Sequence, residues 1–263
     1  MHLRRWITAL CLLPVVIYAI GFSPPYVFYS LVCFVMLLGL REFYHIIKHI
    51  PLLLELAGYI ISLLIAGIIL KGSMYLFPFA ISCCILIPMI ISITRNYSPQ
   101  ESLFQDMAKL LFGILYIALP LCMLMIIYKH PYGRAWIFFL LSLVMMGDTG
   151  AFYFGRYLGR HSLHKKISPN KTWEGAIGGL ISSVVSGFVF IRIFKPVSVS
   201  AGILFFMVCL AIMGQLGDLA ESFIKRSYNI KDSGTILPGH GGILDRIDSF
   251  LFTIPLLYAY MMW

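Results

Sequence analysis

Nine apolar runs, most of them close to the length that crosses a bilayer, leave this chain few ways to fold. They cover roughly 6–22, 26–40, 51–70, 74–93, 107–128, 134–155, 174–194, 199–220 and 244–262. About 20 apolar residues in a row span the hydrocarbon as a helix, because a helix closes its backbone hydrogen bonds internally. Only 12% of the residues are charged and 60% are hydrophobic, whereas soluble domains are about a quarter charged. The sequence therefore predicts an all-α fold, a polytopic membrane helix bundle of nine transmembrane helices. The first two runs are short. Phe22-Ser23-Pro24-Pro25 joins them tightly, as in a helical hairpin. Met1-His2-Leu3-Arg4-Arg5 is basic, but no small-residue cleavage site follows, so it reads as the start of an uncleaved first helix. The polar stretch 94–106 marks a boundary. Residues 1–106 hold spans one to four, and residues 107–263 hold spans five to nine with the two most charged loops.

Orientation follows from the loops. With the N-terminus inside and the C-terminus outside, fifteen of the 20 Lys and Arg residues face the cytoplasm and five face outward. Excess Lys and Arg mark the cytoplasmic side. This asymmetry, with attraction to anionic headgroups, accounts for the net charge of +9, and no nucleic-acid partner is called for. All six cysteines lie inside apolar runs and none forms C-x-x-C, so they read as packing residues rather than metal or redox groups.

Carboxylates beside or within spans are costly and mark function. Asp148 lies in the last third of the sixth span, after Gly147, and Asp218 ends the eighth, after Gly217. Glu221 follows Asp218 at i+3, on the same face if the helix continues. Asp245 and Asp248 open the ninth span, and Glu55 lies about a turn into the third. All six fall toward the cytoplasmic side. So do two basic loops. The first, 155–179, carries Arg156, Arg160, Lys165, Lys166 and Lys171, a turn signal at Ser168-Pro169-Asn170, and Gly175, Gly178 and Gly179, where backbones can approach closely. The second, SFIKRSYNIKDSGTILPGHGGILDRID, runs from Ser222 to Asp248. Its Pro238-Gly239-His240-Gly241-Gly242 cannot continue a helix.

Carboxylates, cations and glycines at one membrane face suit phosphoryl or nucleotidyl transfer. Carboxylates hold Mg²⁺, Lys and Arg bind phosphate oxygens, and glycines admit phosphate to the backbone. There is no G-x-x-x-x-G-K-[ST] loop. His240 has no His or Cys partner at zinc-ligand spacing.

The second loop resembles the signature of the phosphatidate cytidylyltransferases (CDP-diacylglycerol synthases) of the bacterial type. The specified positions are met by Ser222, Lys225, Arg226, Lys231, Asp232, Gly234, Pro238, His240, Gly241, Gly242, Asp245, Arg246 and Asp248. GDTGAFYFGRYLGRHSLHKKISPNKTWEG and GQLGDLAES also look like the family, so the resemblance covers about residues 145–250. It implies an integral plasma-membrane enzyme, its active site facing the cytoplasm, that joins CTP to phosphatidic acid. The products are CDP-diacylglycerol and pyrophosphate. It also implies Mg²⁺, a second monovalent cation such as K⁺, and a homodimer. On that footing Asp218 and Asp245 are the expected Mg²⁺ ligands. Asp148, Glu221 and Asp248 are candidates to support them or to hold a second cation. Lys225 and Arg246 act with Asp218 and Asp245 in catalysis. Ser168, Lys171, Ser222, Arg226, Lys231, His240, Gly241 and Gly242 bind substrate and its phosphates. Two alternatives stand beside this reading. A CTP-dependent polyprenol or phytol kinase would release CDP and a phospholipid. An ion-coupled transporter would use Asp148 and Asp218 as a relay, but its site would lie near the midplane.

Overall fold

The structure is a computed structural model that describes residues 13–47, 50–94, 103–234, 236 and 241–263. Helix α1 (13–21) is followed by α2 (Pro25–Ile47), α3 (Leu52–Lys71), α4 (Phe77–Thr94), α5 (Leu103–Gly113) and α6 (Leu119–Lys129). Then come α7 (Gly133–Leu158), strands β1 (Ser162–His164) and β2 (Ser168–Thr172), α8 (Trp173–Phe194), α9 (Ala201–Ser227) and α10 (Leu244–Met262). A π-helical turn, Ile114–Ala118, joins α5 to α6 just before Pro120. It absorbs a residue that lacks an N–H and crowds the preceding turn.

Among the described residues seven helices are long and apolar enough to cross a membrane: α2, α3, α4, the continuous Phe104–Lys129, α7, α8 and α9. The protein is thus a helical, polytopic membrane protein. Of the two further runs, 6–22 lies partly outside the described residues, as does the basic start. The other is α10, which is apolar beyond its first turn but opens with Asp245, Arg246 and Asp248. Part of the 94–106 boundary, 95–102, also lies outside the described residues.

Two helices outrun their apolar segments. α2 continues past Leu40 to Ile47, and α9 continues past Ala220 to Ser227. In both, the added turns carry a buried acid, Glu42 in α2 and Glu221 in α9. The basic loop after α7 is not irregular. It folds into an antiparallel hairpin in which Ser162 faces Thr172 and His164 faces Ser168. The turn falls at Lys165–Ile167, not at Ser168-Pro169-Asn170 as the sequence predicted. Pro169 is accepted in β2 because both strands of a two-stranded hairpin are edges.

Contacts divide the chain into two compact units. The first comprises residues 1–126 with 232–244. In it, the ring of Phe43 stacks on Phe112 at 5.6 Å, and Tyr44 fits against Gly58 and Gly113, where a Cβ would meet its ring. The second comprises residues 127–231 with 245–263. Its main seam is α7 on α8. Gly147, Gly150 and Gly155 of α7 face Gly175, Gly178, Gly179, Ser182 and Ser183 of α8. Ser183 donates to the carbonyl of Leu143 at 2.9 Å, and Ser186 to that of Ser142 at 3.2 Å. Lipid tails are as apolar as side chains, so membrane helices associate through such close packing and hydrogen bonds. At the far end of the unit, Trp136 and Phe206 pack on Tyr260, with ring centroids 5.4 and 4.2 Å away.

A Cβ at Gly179 would lie 2.9 Å from both the Ala151 side chain and the Gly147 carbonyl, whereas one at Gly67 would meet nothing within 4 Å. Gly179→Ala should therefore cost about 1–3 kcal/mol through overpacking. Gly67→Ala should be neutral or gain up to about 1 kcal/mol of helix propensity. Thermal unfolding in detergent, followed by helical circular dichroism, separates the two.

Candidate active site

Glycines decide where the acids of the second unit sit. Gly217 lets α10 approach α9 so closely that a Cβ there would lie 2.6 Å from the carbonyl of Asp248. The next residue is Asp218. Likewise Gly147, at the seam with α8, precedes Asp148. Each carboxylate follows a residue at which two helices nearly touch. Gln215, one turn before Asp218, donates to the Ala176 carbonyl at 2.9 Å and ties α9 to α8.

Lys171 ends the hairpin beside Thr172, which caps α8 by accepting from the Gly175 amide at 3.1 Å. Its Nζ lies 2.6 Å from Oδ2 of Asp218. Asp148 is close enough to feel the charges of Asp218, Lys171 and Arg246. Two turns along α9 from Asp218, Lys225 reaches back to Glu221 and across to Asp245 of α10, 2.6 Å away. Glu221 is 1% exposed and its Oε1 has no hydrogen-bond partner among the described residues. Asp248 is buried, accepts from the Ser249 amide at 2.7 Å, and interacts with Asp218, Asp148 and Lys225. It thus links the Lys171 group to the Lys225 group.

Asp148, Lys171 and Asp218 border a cavity of about 560 Å³. Ser168, Asn170, Thr172, Gln215 and Arg156 add polar lining, and Phe152, Leu163 and Leu219 add apolar wall. Lys171 and Arg156 can hold an anion there, and Asp148 and Asp218 can hold a cation beside it.

The sequence's site residues thus divide. Asp148, Lys171, Asp218, Glu221, Lys225, Asp245, Arg246 and Asp248 form one electrostatic group in the second unit. Ser168 lines the cavity, and half-buried Ser222 follows Glu221 on α9. Arg226 serves the hairpin, its Nε donating to the Ile167 carbonyl at 3.3 Å. Lys231 is exposed. Gly241 has a φ of 83°, a conformation that favours glycine. Gly242 belongs to the first unit and His240 lies outside the described residues. Glu55, an acidic suspect, accepts from Tyr59 one turn along α3. Among the described residues no three His, Cys, Asp or Glu side chains converge as a ready-made metal cage. Asp218 and Asp245 are each engaged by a different lysine.

One residue escaped sequence reasoning. Glu42, on α2, is 4% exposed and accepts hydrogen bonds from Ser233, Ile243 and Leu244. An acid inside an apolar helix is the signal that finds such groups. It was hidden because the second run was ended at residue 40.

The chain matches the sequence profile of the cytidylyltransferase family over residues 3–263. It belongs to that family. Among curated proteins it is 46% identical to the phosphatidate cytidylyltransferase of Staphylococcus saprophyticus over 156 residues, 59% of this chain and 58% of that protein. The similarity to the phosphatidate cytidylyltransferase of Staphylococcus haemolyticus has the same extent and identity. The one of Bacillus subtilis is 46% identical over 127 residues, 48% of this chain and 47% of its own length. The matched stretches thus span little more than half of these relatives at most.

In this family member Lys225 contacts two carboxylates at once. Removing one partner of a buried ion pair strands the other charge, at a cost of about 3–5 kcal/mol. Lys225→Met should lower stability in detergent on that scale. Adding Asp245→Asn should recover part of the loss, and unfolding midpoints of the single and double variants check this.

Proposed function

We propose that this protein transfers the cytidylyl group of CTP to phosphatidic acid, giving CDP-diacylglycerol and pyrophosphate in phospholipid biosynthesis. The observation that carries the reading is the group of five carboxylates interlaced with Lys171, Lys225 and Arg246, set beside a cavity in a membrane member of the cytidylyltransferase family. The phosphatidate cytidylyltransferases that it resembles support the same substrates.

The phosphate of the lipid is already an anion and needs no strong base. One of its oxygens attacks the α-phosphorus of CTP in line, a P–O bond forms, and the bond to the departing pyrophosphate breaks. The barrier lies in bringing anion onto anion and in charge gathering on the leaving group, so positioning and electrostatics dominate. Lys171, Lys225 and Arg246 lower that repulsion. Arg246 suits a bidentate grip on phosphate that lysine cannot copy.

The acidic chemistry of this group supports a divalent cation: among the described residues five carboxylates gather around Lys171, Lys225 and Arg246, and Glu221 presents a buried oxygen with no hydrogen-bond partner among those residues. Asp218 and Asp245 would hold Mg²⁺, with Asp148, Glu221 and Asp248 supporting them or holding a second, monovalent cation such as K⁺. When bound, Mg²⁺ supplies charge for phosphate oxygens and polarises phosphorus toward attack. The lysines beside Asp218 and Asp245 set cation next to anion, the alternation that a nucleotide–metal complex also presents.

The reading extends to nine spans, N-in and C-out, in a plasma membrane, with the charged site facing the cytoplasm where CTP is. A homodimer belongs to it through the family resemblance.

Purified protein incubated with labelled CTP, phosphatidic acid and Mg²⁺ should release pyrophosphate and form a CDP-lipid. Release of CDP with a phosphorylated lipid alcohol would instead favour a lipid kinase. Asp245→Asn and Asp218→Asn should each lower kcat at least about 100-fold, the scale of one lost preorganised electrostatic contact. Near wild-type turnover by both folded variants would remove the metal assignment. Exposed His161 and Lys231, replaced singly by Cys in a cysteine-free background, should be labelled from the cytoplasmic side alone.

A further inference from the structure

Glu42 makes an arrangement usually met around a bound anion. Its carboxylate accepts from the amide of Ile243 at 2.9 Å, from the amide of Leu244 at 2.8 Å and from the hydroxyl of Ser233 at 3.1 Å. Both amides sit at the start of α10, where the first N–H groups of a helix have no partner within it. A carboxylate there satisfies them and is favoured by the helix dipole. Two glycines complete the cradle. A Cβ at Gly234 would lie 2.5 Å from Oε1 of Glu42, and one at Gly242 would meet Oε2. All of these residues belong to the first unit.

We propose that Glu42 is a positioning residue for the reaction. It occupies, from within the chain, the place a phosphate would take at a glycine-rich turn, and it holds Ser233 together with Ile243 and Leu244, which lead directly into Asp245 and Arg246. This inference rests on the cytidylyl-transfer reading. It also reassigns Gly242 and Gly234. Gly242, expected to bind phosphate, is glycine because the Ser233 hydroxyl and the Glu42 carboxylate lie where its Cβ would be, and Gly234 is glycine because that carboxylate does. Gly241 keeps its own cause, its positive φ.

Glu42→Gln is the sharpest probe, because it keeps size and turns one acceptor into a donor. Whichever way the amide faces, either Ile243 or Leu244 loses its acceptor. Hydrogen exchange, read by mass spectrometry on purified protein, should then speed up at least about tenfold in the peptide spanning 241–247, the scale of one lost hydrogen bond to a charged group. Peptides from the middle of α2 should not change. kcat for CDP-lipid formation, measured well below the unfolding midpoint where the variant is fully folded, should fall at least about tenfold, while the lost hydrogen bond also lowers that midpoint. Unchanged exchange overturns the clamp. A wild-type kcat in the folded variant overturns the positioning role. A double-mutant cycle adds a test by rescue. Gly234→Ala should impair turnover when Glu42 is present and do little further harm in Glu42→Ala, where the obstructing carboxylate is gone. Equal losses in both backgrounds overturn the proposal. If wild-type protein forms no CDP-lipid, the functional reading fails and the positioning role fails with it. The exchange measurement still decides whether Glu42 clamps the segment.

Discussion

Five carboxylates gathered at the ends of apolar helices repel one another, and the medium around them screens that repulsion poorly. Lysine contacts hold them together. Lys225 joins two of them from successive helices, Lys171 takes a third, and buried Asp248 interacts with both groups. Each pairing depends on backbones that approach without side chains between them, at Gly217 for α9 and α10 and along the glycine–serine seam for α7 and α8. Packing sets the distances, and the distances make the charges tolerable.

The hairpin belongs to the same system. Thr172 ends β2 and caps α8, so the cation at Lys171 stands on the first turn of a membrane helix rather than on a loose loop. Glu174, in that first turn, accepts from the amides of Arg160 and His161 and pairs with the His161 ring at 2.6 Å. Arg226 secures the turn of the hairpin through Ile167. A stretch that the sequence presents as a basic loop thus has a defined shape, and its outer residues hold the inner ones in place.

Most of the helical architecture was legible in the sequence, because apolar runs of bilayer length permit so few alternatives. The acids that matter in the second unit were legible too, since each stands where an apolar run ends or beside a glycine. The hairpin was not. Its shape is secured by contacts to Glu174, which lies just past its second strand, and to Arg226, which is distant in sequence, and Ser168-Pro169-Asn170 carries a strong local turn signal that those contacts override. Glu42 was hidden for a similar reason. Its partners lie about 200 positions away, and nothing local to Arg41-Glu42 announces them. Which carboxylate pairs with which lysine was equally closed to sequence reasoning, because the i+4 contact of Lys225 with Glu221 is local but its contact with Asp245 is not.

The seam between α7 and α8 has a consequence for how this region can vary. Gly147, Gly150 and Gly155 keep to one face of α7, and Asp148 lies between the first two. A helix turns by about 100° per residue. One inserted or deleted residue in this stretch would carry part of the glycine set off the contact face, and an indel just before Asp148 would swing the carboxylate away from the cavity. The seam and the acid share a single phase, so neither can drift while the other stays. A length change inside this stretch should therefore cost the seam and the acid together, whereas the loops on either side of the helix pair can take one without disturbing either.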